Sequence, residues 1–219
     1  IATTNGCSIM APSGGVTETL GNNPVCYAMP AGSAHPIILD MAVSTAARTK
    51  IRVAAAAGTK IPLDWAFDRD GMPTDDPQVA LTGLVAPMSG AKGFGMAVAS
   101  EILTAGLSGG LMGKDLPNDA ITASDSTDVF HPVRVSHHFQ VIDIKQIVPL
   151  DEFKSRVDRL AKQVHESVLA KGSDGVYMPG EIEFKARETR LMEGIPILPA
   201  VLGTLDRIAD EVGIERIAR

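Results

Sequence analysis

Apolar positions in this 219-residue chain follow two different rhythms. In the first third they cluster in short runs, PVCYAM at 24–29 and PIILDM at 36–41, edged by Gly, Asn and Pro. Short apolar runs between turn residues predict strands. GNNP at 21–24 and GSAH at 32–35 carry the turn chemistry. After Asp40 the Ala-rich run MAVSTAARTKIRVAAAAG predicts a helix that stops at Gly58. Residues 59–83 hold three Pro and five Asp together with Trp65 and Phe67. That composition predicts an ordered loop, because both rings need a surface to pack on. MSGAKGFG at 88–95 forms a Gly-rich bend, and Met96 to Met112 predicts a mostly apolar, buried helix. Residues 113–137 are polar and loop-like, and HFQVIDI at 138–144 predicts another strand.

From Leu150 the spacing changes to threes and fours. Leu150, Phe153, Val157, Leu160, Val164 and Val168 form one stripe, predicting a helix over 150–171 that closes at Lys171 and Gly172. Leu198, Val201, Leu202, Leu205, Ile208 and Val212 form the stripe of a final helix. Strands and helices are mixed, so the fold class is α/β (mixed α+β). Residues 1–148 form the expected core and 149–219 a C-terminal helical part that packs on the core or on a dimer partner.

Composition narrows the function. Hydrophobic residues at 45% and charged residues at 21% exclude disorder as the main state. A formal net charge of -6 with scattered Lys and Arg argues against a nucleic-acid partner. The most apolar stretch, 94–113, is interrupted by Glu101, Gly and Ser, so no membrane span is expected. Two cysteines, Cys7 and Cys26, build no disulfide framework, which fits a reduced cytoplasmic setting. The start at Ile1, running straight into ATTNGCSIMAPSGG, suggests a piece of a longer protein.

No standard nucleotide motif is present. The Gly-rich bend with Lys92 is compatible with an anion site, since small residues let backbone N–H groups approach and a following helix N-terminus adds positive potential. From spacing alone it is also compatible with a turn that lets the helix pack closely. Asp40, at the end of a strand, suits ribose hydroxyls or a helix cap. Pro179-Gly180-Glu181 suits close approach to a ligand or an ordinary helix start with Glu in its first turn. The five histidines, His35, His131, His137, His138 and His165, offer no metal pattern. His137 and His138 would point to opposite faces of a strand, and His165 would lie exposed on the long helix. Neither Cys has a neighbouring His or Lys to activate it.

Several motifs together carry a resemblance. MAPSGG at Met10–Gly15, GNNP at Gly21–Pro24, ILDMA at Ile38–Ala42 and IPLDWAFDRDGMPTDDP at Ile61–Pro77 are similar to stretches of the malate/L-lactate dehydrogenase family of non-Rossmann type. GAKGFG at Gly90–Gly95, MPGE at Met178–Glu181 and EGIPI at Glu193–Ile197 complete the family's order. The family includes ureidoglycolate, sulfolactate and diketogulonate enzymes and cyclic imino-acid reductases. The resemblance implies a non-Rossmann NAD(P)-binding fold, a homodimer and hydride transfer between NAD or NADP and a small 2-hydroxy or 2-oxo acid. It implies cofactor contacts at Asp40, Met41, Ala42, Lys92, Gly93, Gly180, Glu181 and Ile182, with the Met10–Gly14 loop bordering the nicotinamide. A Ser that contacts the cofactor in some members is replaced by Gly6, with Asn5 and Ser8 nearby. The family's catalytic His and substrate-holding Arg fall in a segment before Ile1, so no catalytic residue and no metal ligand is carried onto this chain. The alternative is a non-catalytic nicotinamide-binding or oligomerisation fragment.

Overall fold

The computed structural model describes residues 1–116 and 134–217. His131 and most of the polar stretch 113–137 lie outside the described residues. The chain divides into two compact units, Ile1–Leu160 and Ala161–Arg219.

The first unit is built on a four-stranded sheet in which every pairing is antiparallel. β2 (Val25–Met29) and β3 (Ile37–Met41) form the predicted hairpin, with Cys26 opposite Asp40. β1 (Ala2–Thr4) lies between β2 and β6 (His137–Phe139). A dinucleotide fold of the Rossmann kind needs parallel strands joined by crossover helices, and no parallel pair occurs among the described residues.

The Ala-rich run is a helix only from its middle: α1 covers Arg48–Ala57. Met41 stays in the sheet, and Ser44 bridges to Pro87. Gly58 ends α1 as predicted, with φ 65 and its N–H directed at the carbonyls of Ala54 and Ala55. The expected loop 59–83 contains structure of its own. β4 (Ala66–Phe67) pairs with β5 (Leu84–Val85), and α2 (Pro77–Thr82) starts where the Asp76 carboxylate accepts the Gln78 and Val79 N–H groups. Trp65 packs against a core that includes Met10, Val43, Ile51, Ala66 and Val85.

α3 (Ala91–Glu101) begins inside the Gly-rich bend rather than after it, and one π turn carries it on to Gly106. Its apolar residues point the opposite way from expectation. Val98, Ile102, Leu103 and Leu107 are exposed, whereas Ala97, Ser100, Glu101 and Thr104 are buried. The physical reason is a polar knot. Glu101, 2% exposed, accepts Asn5 Nδ2 at 3.1 Å and the Gly113 N–H at 2.8 Å on one oxygen, and Asn23 Nδ2 at 2.7 Å on the other. Asn23 also donates to the Ala97 carbonyl and accepts the Gly6 N–H, and Asn5 accepts the Ser136 N–H. A buried carboxylate is tolerated only with such donors. Gly21 completes the knot, since a Cβ there would stand 2.4 Å from the Gly6 carbonyl oxygen.

β6 stops at Phe139, short of the expected strand 138–144. Gln140 exchanges main-chain bonds with Ile1, and Asp143 then caps a short 3-10 turn. α4 (Leu150–His165) begins as predicted, with Asp151 and Glu152 in its first turn. Within the first unit its Asp158 carboxylate accepts the Gly32 and Ser33 N–H groups, both at 2.9 Å, pinning the tip of the β2–β3 hairpin. Those backbone donors hold the Asp158 carboxyl below its usual range. α4 ends earlier than expected: the chain tightens at Ser167, Val168 is 94% exposed, and Gly172 belongs to a separate turn at φ 86.

The second unit contains the end of α4, then α5 (Glu181–Glu193) and α6 (Pro199–Val212). Pro199 at the first helical position and Gly213 in the left-handed conformation frame α6.

Candidate functional site

The candidate residues fall in both units. In the first, Val43 ties two of the motifs together. Its N–H donates to the Asn22 carbonyl and its carbonyl accepts the Met88 N–H, each at 2.9 Å. The strand end Asp40–Ala42 is thereby held beside the bend at 88–95. Ser89 (φ 52) and Gly90 (φ 63) turn the chain sharply into α3. Gly93 is buried and donates to the Met88 carbonyl at 2.9 Å, and a Cβ on it would sit 2.2 Å from that oxygen. Gly93 therefore shapes the bend by letting two backbone segments touch.

A groove of about 1050 Å³ runs along this junction, lined by Met41, Ala42, Phe67 and Pro87–Gly90, with Lys50 and Asp64 among its polar groups. A second cavity of about 310 Å³ lies between the Gly14–Gly15 loop and the Asp70–Gly71 turn. Gly90 lines both. Three motifs distant in sequence thus converge on one glycine. The Asp68 carboxylate holds the Asp70–Met72 turn by accepting its N–H groups at 2.9 Å.

Lys92 is exposed in the first turn of α3, which has no acidic residue and no side-chain cap. A cation is the wrong sign for a helix N-terminus and is disfavoured there by roughly 0.3–1 kcal/mol. Lys92 and the open N-terminus therefore both present positive potential to solvent. Asp40 is exposed on β3 and lines a shallow depression with Cys26, His137 and Phe139. It caps no helix, because α1 begins at Arg48 with Ala47 before it. His138 is less exposed than His137, in keeping with opposite faces of a strand. Burial raises the Cys7 thiol, which leaves it a poor nucleophile. No group of three or more His, Cys, Asp or Glu suited to a metal occurs among the described residues. Nor is any helix among them long and apolar enough to cross a membrane.

In the second unit, Gly180 (φ 94) turns the chain into α5. Glu181 closes that turn from both sides. Its N–H donates to the Met178 carbonyl at 3.1 Å, and its carboxylate accepts the Met178 N–H at 2.9 Å. Ile182 follows, 58% exposed. Lys185 stands 4.4 Å over the Tyr177 ring. The sequence reading missed the partner of Glu181: His165 Nε2 lies 2.8 Å from its carboxylate. Burial alone would raise the Glu181 carboxyl. The bonds from His165 and from Met178 N–H, with the charges of His165 and Lys185, outweigh that and hold it below its usual range. No motif signalled this pair, because the partners end and begin different helices.

The profile of the malate/L-lactate dehydrogenase family matches residues 1–206. Malate dehydrogenase of Pyrococcus horikoshii is 34% identical over 98% of this chain and 59% of its own length. L-sulfolactate dehydrogenase of Methanocaldococcus jannaschii is also 34% identical, over 98% of this chain and 59% of its own length. The solved structure of that sulfolactate dehydrogenase superposes with a TM-score of 0.82 over 98% of this chain and 59% of that one. A (2R)-3-sulfolactate dehydrogenase (NADP(+)) of Chromohalobacter salexigens is 42% identical over 52% of this chain and 34% of its own length. The chain thus spans about six-tenths of the length of the first two relatives. The described architecture, an antiparallel sheet with helices, is the mixed α/β fold of those relatives, and the chain belongs to the malate/L-lactate dehydrogenase family.

Proposed function

We propose that this chain is the cofactor-binding part of an oxidoreductase that moves a hydride between NAD or NADP and a small 2-hydroxy or 2-oxo acid. The observation that carries the reading is the junction at Gly90, where the 1050 Å³ groove meets the uncapped α3 N-terminus with Lys92 in its first turn. A groove of that size suits a large ligand. An exposed cation beside a helix N-terminus with no acid in its first turn suits a diphosphate.

The nicotinamide, when bound, supplies the hydride chemistry. The chain's own residues bind and orient it. Lys92 and the first turn of α3 hold the phosphates, with Gly93 keeping the bend tight. Asp40 accepts from ribose hydroxyls, and Met41 and Ala42 offer backbone along the groove. Gly180, Glu181 and Ile182 contribute the second unit's turn. The Met10–Gly14 loop flanks the ring. In this division of labour residues 1–148 form the cofactor-binding core and 149–219 the helical part that carries the Gly180–Ile182 contacts. The acid–base His and the carboxylate-holding Arg come from outside these 219 residues. Exposed apolar side chains such as Leu191 and Met192, 70% and 80% exposed, suit burial in a homodimer, and the setting is cytoplasmic.

Calorimetric titration of the 219-residue chain with NADH and NADPH tests the reading. Saturable binding of either is expected, and the tighter one names the coenzyme. A folded chain that binds neither refutes it.

A further inference from the structure

We infer that His165 is a positioning residue for the cofactor turn Met178–Ile182, acting through Glu181. The inference rests on the function proposed above and adds a residue that the family resemblance does not supply.

The turn has one side-chain brace beside its main-chain bond from Glu181 N–H to the Met178 carbonyl. Gly180 takes a left-handed conformation, and the Glu181 carboxylate accepts the Met178 N–H across it. If that carboxylate swings away, the Met178 N–H loses its acceptor and the entry into α5 loosens. Glu181 must therefore be held in one rotamer. His165 does this, with Nε2 2.8 Å from one carboxylate oxygen and 2.9 Å from the other. Glu181 is the sheltered partner, its side chain 18% exposed against 41% for His165.

The location strengthens the pair. His165 is the last residue of α4 and Glu181 the first of α5. A helix C-terminus favours a cation and a helix N-terminus an anion. Protonated His165 and ionised Glu181 thus each complement the dipole of their own helix as well as each other. An ordinary exposed ion pair has neither advantage. The other charged groups around the pair are Lys185 on α5, which acts on Glu181, and Lys162 and Glu166, which lie 3.6 Å apart beside His165 in the chain. Lys185 adds a favourable charge beside the Glu181 carboxylate.

The test measures NADH and NADPH affinity by calorimetry for the wild type, His165→Ala and His165→Gln. Thermal melting and hydrogen exchange at the Met178 amide accompany it. His165→Ala should bind about three- to tenfold more weakly, the scale of one charge-assisted hydrogen bond, with faster exchange at Met178. His165→Gln, which keeps a neutral donor, should recover much of the affinity and of the protection at Met178. It also serves as the test variant if His165→Ala melts. Wild-type affinity in His165→Ala would overturn the inference alone, as would faster Met178 exchange with unaltered cofactor binding. A wild-type chain that binds neither dinucleotide would overturn the proposed function and this inference with it.

Discussion

α3 and α5 begin alike and differ in what they offer a ligand. Each starts after a glycine with positive φ, Gly90 at 63 and Gly180 at 94. Each carries a motif of the family. Yet the first turn of α3 holds Lys92 and no acid, while that of α5 holds Glu181 and Glu183. The α5 dipole is already complemented from within, by Glu181 fixed on Met178 and His165. The α3 dipole is uncompensated and made worse by a cation. An anion is therefore favoured at the α3 start and disfavoured at the α5 start. Similar glycine punctuation thus yields two recognition chemistries, and the charge of the first turn decides between them.

Substitution of the glycines should separate the two starts most sharply. Gly93→Ala forces a Cβ to 2.2 Å from the Met88 carbonyl oxygen. It should cost roughly 3 kcal/mol or more of stability, as overpacking against rigid backbone does. Gly180→Ala bears the cost of the left-handed conformation, at about 1–2 kcal/mol. Denaturant melts of the two variants give the ranking directly, and equal losses would mean that the α3 bend yields as easily as the α5 turn.

Lys92 comes next. Lys92→Ala should weaken dinucleotide binding by about 1–3 kcal/mol, the loss of one charge-assisted contact. The same change should raise the stability of the unliganded chain by about 0.3–1 kcal/mol, since a like charge leaves the helix N-terminus. Opposite signs in calorimetry and melting are the signature. Unchanged affinity with an intact fold would remove Lys92 from the site.

The smallest effect concerns acid. The folded Glu181 carboxyl lies below its ordinary 4.5. Its contribution to stability is therefore present above that value and lost as pH falls through the folded pKa. Between pH 5 and pH 3 the wild type should lose more stability than Glu181→Gln, which has no such proton to take up. Parallel acid titrations of the two would contradict the clamp on α5.

Much of this was legible in the chain, for reasons that differ by region. The β2–β3 hairpin declared itself because both strands are apolar runs with turn residues between them. Asp40–Ala42, Lys92 and Gly180–Ile182 stood out because their motifs resemble a family, and spacing alone left each with a structural alternative. Three features stayed hidden. β1 is three residues, Ala2–Thr4, too short for any periodicity. The burial of α3 was read backwards, because its apolar residues signal a core while Glu101, the residue that marks its inner face, looks like an interruption. The pair of His165 and Glu181 depends on how α4 ends and α5 begins, and the stripe that seemed to carry α4 on to Val168 concealed that end. Polar groups satisfied by distant partners leave no local pattern, so tertiary hydrogen bonds were the main thing the sequence withheld.

The polar knot at Glu101 also ties separate stretches of the first unit into one cooperative event. Its carboxylate is shed of water only when Asn5, Asn23 and the Gly113 amide have all arrived. Those donors come from far-separated stretches of chain, and any one missing leaves a costly buried charge. Closing such long loops is entropically unfavourable until the last contact forms. The segments at 5–6, 21–23, 101, 113 and 136 should therefore open as a single cooperative unit. The amides of Gly6, Gly113 and Ser136 would then exchange at one common rate in native-state hydrogen exchange, slower than those of the β2–β3 hairpin tip.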